Sequence, residues 1–344
     1  NFNNKDWQKQ VIHFTGGGNG QQQADFKGYM DDMANIISDS LYGANVTSFN
    51  KEDANPFEPA DLNSITERIE DGLSLMTYFG HSNATTSGFE INLDEPQNWN
   101  NNGKYPLMLV NSCYNGNIFQ PNNSKSEEFV QLPNAGAIGY IASVSVGYDI
   151  YLYWYSKELY KQFSYKNYGA TLGKQMQETI RKFEGQPWMI GTSNQMVLNG
   201  DPMISINSHA KPEIELLEEY VWFTPDNPDL TVDSITMHIK LKNLGKSVVD
   251  TFSLEITRDF PSSSIDSIYR FQLTKLDYET EFSFNLPLQP NISLGLNSFT
   301  VSVDLPSEIN EVYDEINNNQ IIKTLFLEID GIVPVIPYEF AVIP

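Results

Sequence analysis

Short apolar runs alternate with stretches of helical period through residues 10–206, and a strict two-residue alternation replaces them afterwards. Gln10–Thr15 (QVIHFT) reads as the first strand and ends in Gly16-Gly17-Gly18-Asn19-Gly20. A helix is predicted over residues 24–41, with Phe26, Met30, Met33 and Ile37 on one face, and a short strand over 43–49. Residues 61–71 form a second amphipathic helix, carrying Leu62, Ile65 and Ile69 and stopped by Gly72. The apolar runs 73–79 and 106–110 read as buried strands. The first leads into Gly80-His81-Ser82 and the second into Asn111-Ser112-Cys113, with a polar, Asn-rich loop over 82–104 between them. A further strand is expected within 135–146, then helices over 151–163 and 170–183, the second aligning Leu172, Met176 and Ile180. Residues 196–206, with a Gly-Asp-Pro turn, close this part. Strand and helix in alternation predict a doubly wound α/β layer structure with a mostly parallel sheet.

Beyond Lys211 the period changes. Ile235, Met237, Ile239 and Leu241 alternate with Thr236, His238, Lys240 and Lys242, and Phe252/Leu254/Ile256, Phe282/Phe284/Leu286 and Phe299/Val301/Val303 repeat the pattern. Half-buried strands with turns and no helices predict an all-β, immunoglobulin-like sandwich. The expected organisation is an α/β domain over 1–208, a sandwich over 213–325, and a linker over 326–344 running into a further region.

A chain of 344 residues with 40% hydrophobic and 12% aromatic residues has enough apolar surface to build two cores, which excludes a disordered chain. A net charge of -23 argues against nucleic acid as a partner, because phosphates would be repelled. No apolar run reaches the length of a transmembrane segment. The balance fits an extracytoplasmic protein, and the opening residues NFNNKDWQKQ read as the interior of a longer or processed polypeptide.

Ligands of parallel sheets bind beyond the carboxyl ends of the strands, where His81 and Cys113 both fall. Cys113 is the only cysteine, so no internal disulfide competes for it. A thiolate is a useful nucleophile, and an imidazole beside it is the usual partner. The plainer alternative is a small buried thiol beside an ordinary loop histidine. A serine-hydrolase reading of Gly80-His81-Ser82 fails because Ala84 stands where the elbow needs glycine. The glycine run after the first strand lacks the Lys-Ser/Thr of a phosphate loop and reads as a tight turn at the sheet edge. His13 is expected in the core, His209 in the interdomain linker, and His238 solvated beside Lys240.

These residues resemble the gingipain-type cysteine peptidases (family C25) in Gly80-His81, Asn111-Ser112-Cys113-Tyr114-Asn115-Gly116 and the run 135–147. VIHFTGGG and YFGHSNATTSGFEI look more narrowly like sortases of the type IX secretion system of Bacteroidetes. VDLPSEINEVYDEINNNQ is similar to the CARDB-type immunoglobulin domains that follow such peptidases. The resemblance implies a caspase-like α/β/α fold, Cys113 as nucleophile and His81 as its base. It implies an oxyanion hole from the backbone N–H groups of Ser82 and Cys113, Ser82 standing where the family usually has glycine. Asp25 is the one candidate for the acid that orients the histidine, and Ser143, Val144 and Tyr148 for a wall of the primary substrate pocket. Glu90 and Asp149 are expected to flank that pocket, which implies a small or polar residue at the scissile position. The implied setting is the outer membrane surface or the secreted fraction, with a polypeptide substrate and secretion-system proteins as partners. No cofactor is required, a structural calcium ion is allowed, and no catalytic metal is implied. Two readings stay open, a processing peptidase or transpeptidase for C-terminal secretion signals and a silent scaffold that binds secretion-system proteins.

Overall fold

In the computed structural model the described residues are 6–51, 59–83, 95–120, 123–226, 228, 232–312 and 318–328. Glu90, residues 84–94 of the Asn-rich loop and residues 329–344 of the expected linker lie outside them. The chain divides into two units, Asn1–Glu213 with Asn243–Val248, and Ile214–Lys242 with Val249–Pro344.

The first unit begins with β1 (Gln10–Thr15), α1 (Gly20–Ser38), β2 (Asn45–Asn50), α2 (Pro59–Asp71) and β3 (Leu75–Phe79). It continues with β4 (Leu107–Asn111), α3 (Lys125–Gln131), β5 (Gly139–Ser143) and α4 (Asp149–Lys161). α5 (Leu172–Lys182), α6 (Pro187–Gln195) and β6 (Met196–Gly200) complete it. The sheet order is β2-β1-β3-β4-β5-β6, parallel except for β6, which pairs antiparallel to β5 at the edge. β3, β4 and β5 are buried along their whole length, as strands covered on both faces must be.

Alternation sends successive side chains to opposite cores. Leu75, Phe79, Leu107 and Leu109 pack with Phe26, Met30, Met33 and Ile37 of α1 and with Leu152, Tyr155 and Leu159 of α4. Met76, Tyr78, Met108 and Val110 pack on the other face with Ile65 and Ile69 of α2 and Phe129 of α3.

The helical periods were legible, but not every boundary was. α1 starts four residues before the expected 24 because Asn19 caps it, its side-chain oxygen accepting the N–H of Gln22. α3 lay in a stretch with no expected helix. Its signal is a capping box, in which Ser124 and Glu127 each receive the other's backbone N–H. α6 was also unforeseen and opens with Pro187 in its first turn.

The second unit holds two antiparallel sheets. β7 (Ile214–Glu215), β8 (Val221–Thr224), β9 (Ser234–Asn243) and β12 (Glu279–Pro287) form one. β10 (Phe252–Asp259), β11 (Ser267–Leu273), β13 (Gly295–Val303) and β14 (Gln320–Leu327) form the other. Met237, Ile239, Leu254, Ile256, Phe299 and Val301 fill the core, as the two-residue period required. β14 carries this unit past residue 325. His238 is only half-exposed, contrary to expectation, because its ring stacks on Trp222 at 4.9 Å and 3°.

His13 is fully buried as expected, its Nε2 2.7 Å from Tyr160 Oη, whose oxygen also lies 2.6 Å from Thr77 Oγ1. Burial pushes its pKa down to about 3 from an ordinary 6.5. The folded form therefore binds fewer protons than the unfolded chain below the ordinary value. Its stabilising contribution is complete above that value and declines as pH falls toward the depressed one. Between pH 6.5 and about 5 the protein is expected to lose up to about 2 kcal/mol from this group. Urea unfolding at a series of pH values checks this, and His13→Gln should flatten the slope in that interval.

Candidate active site

The strand register decides where the two candidate side chains fall. β3 and β4 pair in parallel from Leu75↔Leu107 to Phe79↔Asn111. His81 and Cys113 each stand two residues beyond that last pair. By the alternation that puts Phe79 on the α1 and α4 face, they are aimed at the same side of the sheet. They line one cleft of about 200 Å³ together with Gln22 and Phe26 of α1, Asn111, Gly147, and Tyr148, Asp149 and Leu152 at the start of α4. Helices α1 and α4 thus present their amino-terminal ends to the cleft, where partial positive charge favours a thiolate or an oxyanion.

Each residue is held by its own local device. The Tyr78 ring folds back across Gly80, where a Cβ would meet Tyr78 Oη at 2.2 Å, so only glycine fits. From there the Tyr78 hydroxyl donates to the His81 carbonyl at 3.0 Å and fixes the turn after β3. The exposed His81 ring lies 6.2 Å from Phe26, edge to face, and its Nε2 is 3.1 Å from Gln22 Oε1. Phe26 itself packs against Phe79 at 4.8 Å.

Cys113 is a free, half-buried thiol. The Gly147 N–H donates to its sulfur at 3.4 Å, and the Gly147 carbonyl lies 3.7 Å away, within reach of the S–H. The following turn requires a positive φ of 59° at Tyr114, a conformation costing a side-chain-bearing residue about 1–2 kcal/mol. It is anchored by the N–H groups of Tyr114 and Gly116, which donate to the carbonyls of Ser145 and Ser143, each at 2.9 Å. Asn111 is buried beneath, accepting from the Ser156 hydroxyl and donating to the Tyr78 carbonyl at 3.3 Å.

Ser82 lies beside these residues without lining the cleft. Its Oγ is 2.6 Å from Ser112 Oγ and 2.7 Å from the Cys113 carbonyl oxygen. The Ser82 hydroxyl is the donor toward both, its one hydrogen shared between the Ser112 Oγ and the Cys113 carbonyl. The Ser82 hydroxyl is thus spent lacing the two strand ends together.

Other expected residues fall elsewhere. Asp25 is exposed, accepts from Gln21 Nε2 at 2.9 Å and does not line the cleft, being about 100° round the helix from Phe26. Gln22 occupies the place expected of an acid. Of the expected pocket wall only Tyr148 lines the cleft. Ser143 is buried and anchors the Cys113 turn through its carbonyl, while the Val144 N–H donates to Gln195 O at 2.9 Å. Asp149, expected to flank the pocket, lines the cleft because α4 begins there. That carboxylate removes the basis for expecting a small or polar residue at the scissile position. Gln22 could have been found from the sequence: it stands three residues after Asn19, the spacing of a cap and the residue it caps.

A model of peptidase family C25 matches residues 1–207. The chain belongs to peptidase family C25. The α/β/α unit is therefore a gingipain-type cysteine peptidase domain. Similar solved structures include the Arg-specific cysteine proteinase gingipain R, at 14% identity and TM-score 0.49, covering 94% of this chain and 68% of that one. A complex of the Porphyromonas gingivalis RgpB pro- and mature domains is similar at 14% identity and TM-score 0.48, covering 94% and 70%. The sandwich is similar to the CARDB domain of PF1109 from Pyrococcus furiosus, at 18% identity and TM-score 0.24, covering 35% and 98%. No curated protein matches the chain.

Gly147 gives the C25 site a direct test. A Cβ there would lie 2.4 Å from Leu152 Cδ1 and 3.0 Å from the Ser112 carbonyl, so Gly147→Ala crowds both and is expected to displace the amide that faces Cys113. Loss of one N–H bond to a thiolate, about 1.5 kcal/mol, is expected to slow iodoacetamide alkylation roughly ten-fold with an unchanged circular dichroism spectrum. Equal rates in the two proteins would remove Gly147 from the site.

Proposed function

We propose that this chain cleaves polypeptides through Cys113, with His81 as the group that takes up and returns the proton. The convergence of both side chains on one cleft, between the ends of β3 and β4 and the amino-terminal ends of α1 and α4, carries the reading. The Cys113 sulfur attacks the scissile carbonyl carbon, and its proton passes to the imidazole. The carbonyl π electrons move onto oxygen, where the backbone N–H groups of Ser82 and Cys113 are the proposed donors. Collapse of the tetrahedral intermediate breaks the C–N bond, and the imidazolium protonates the departing amine. A thioester remains on Cys113. Water then attacks it, with His81 as base, and releases the carboxylate; an amine attacking instead would complete a transpeptidation.

The narrower reading is a sortase-like enzyme that removes C-terminal signals from type IX secreted cargo at the outer membrane surface, alongside secretion-system proteins. The sequence segments around Gly16 and His81 support it, and the sandwich supplies a further module that follows the peptidase unit in the chain. No helix among the described residues is long and apolar enough to cross a membrane. The proposed chemistry needs no cofactor. Among the described residues no three His, Cys, Asp or Glu side chains cluster as a metal site, so a structural calcium ion would need ligands beyond such a cluster.

The alternative, a silent scaffold, is favoured by Ser82 at the position after the histidine and by the absence, among the described residues, of a carboxylate hydrogen-bonded to His81. Incubation with a peptidyl acyloxymethyl ketone distinguishes the two. The expected result is a covalent adduct mapped to Cys113, no adduct in Cys113→Ala, and a roughly 10²–10⁴-fold slower reaction in His81→Ala. Labelling of none of the three proteins, all folded, supports the scaffold. Cargo peptide supplied with a competing amine should yield a peptide–amine adduct if the enzyme is a transpeptidase, and only the free acid if it is a hydrolase.

A further inference from the structure

The hydrogen bonds around Gln22 fix the protonation of the His81 ring, and they explain the glycine run that follows β1. Gly18 donates its backbone N–H to the Gln22 side chain at 3.0 Å. A backbone N–H cannot accept, so the side-chain atom facing it must be the amide oxygen. That same oxygen lies 3.1 Å from His81 Nε2. An amide oxygen carries no hydrogen, so Nε2 must, and in the neutral ring the lone pair is left on Nδ1.

The position of Gln22 is itself overdetermined. It lies in the first turn of α1, its own N–H donated to the Asn19 side chain at 3.1 Å. Phe26, one helical turn on, packs against the same imidazole, so a single face of α1 holds the ring by an edge contact and a hydrogen bond. Gly18 must approach closely: a Cβ there would sit 3.3 Å from Gln22 Oε1 and 3.9 Å from His81 Nε2. The stretch from Gly16 to Gly20 thereby has two local tasks. It delivers one amide to Gln22 and one cap to α1.

We propose that Gln22 is the positioning residue of this site, a neutral acceptor that holds His81 as the Nε2–H tautomer with Nδ1 free to exchange protons with Cys113. The inference rests on the peptidase reading of Cys113 and His81. A glutamine does here through hydrogen-bond geometry what an acid would do through geometry and charge together.

Nitrogen-15 NMR of the imidazoles in the full chain tests it without turnover. His81→Ala assigns the signal among the four histidines. At alkaline pH, where the ring is neutral, the wild-type protein is expected to show His81 protonated at Nε2. Gln22→Leu is expected to give a mixture of tautomers and to reduce the kcat of Cys113-dependent cleavage roughly ten- to hundred-fold with little change in KM. Gln22→Glu keeps an acceptor in place and is expected to restore both the tautomer and most of the rate. An unchanged His81 tautomer in Gln22→Leu, with cleavage as in the wild type, would overturn the proposal while leaving the peptidase reading intact. A changed tautomer with unaltered kcat would overturn it equally. No acylation of Cys113 in the wild type, with Nε2 still protonated and sensitive to Gln22, would instead sink the peptidase reading, leaving only the structural half of the inference.

Discussion

Parallel pairing of β3 with β4 is the constraint on which the site depends. With Phe79 opposite Asn111, residues two beyond each strand end emerge side by side on one face. A slip of one residue would turn one of the two side chains to the opposite core and separate them by the thickness of the sheet. The register is specified strongly because both faces are buried: Leu75 and Leu107 belong to one core, Met76 and Met108 to the other, and neither set can exchange without exposing apolar surface. Ser82 extends the coupling past the last backbone pair by donating to the Cys113 carbonyl.

The helices complete what the sheet begins. α1 follows β1 and α4 follows β5, so both start at the carboxyl edge where His81 and Cys113 end their strands. Phe26 and Leu152 are core residues of these helices and cleft-lining residues at once. Packing that stabilises the unit thereby also sets the walls of the site. Tyr29 links the two helices, stacking on Tyr153 at 4.2 Å and packing against Phe79 at 5.3 Å.

The sequence was most legible where one physical signal dominated. Gln10–Thr15 is a strand with the expected bounds, and Phe26, Met30, Met33 and Ile37 are the buried face of α1. The change of period beyond Lys211 is the change from a parallel layered sheet to antiparallel sandwich strands. His81 and Cys113 were found because strand ends and unusual side chains coincide. What escaped depended on direction and on close range. Gln22 stands one helical turn before Phe26 and Asp25 only one residue before it, so helical rotation points the first at the cleft and the second at solvent, but a search for an acid passes over the glutamine. Ser143 was expected as a pocket wall from the family resemblance alone, but its carbonyl holds the Cys113 turn. Asp149 looked peripheral because the first residue of α4 could not be fixed to within one turn.

A crystal structure with a peptide aldehyde bound tests the central claim, that strand register makes Cys113 and His81 one reaction centre. The account predicts a hemithioacetal on the Cys113 sulfur, its oxygen received by the backbone N–H groups of Ser82 and Cys113. It predicts the His81 ring beside the adduct, still held at Nε2 by Gln22. An aldehyde that forms no bond to Cys113, or an adduct from which the His81 ring is turned away toward solvent, would contradict it.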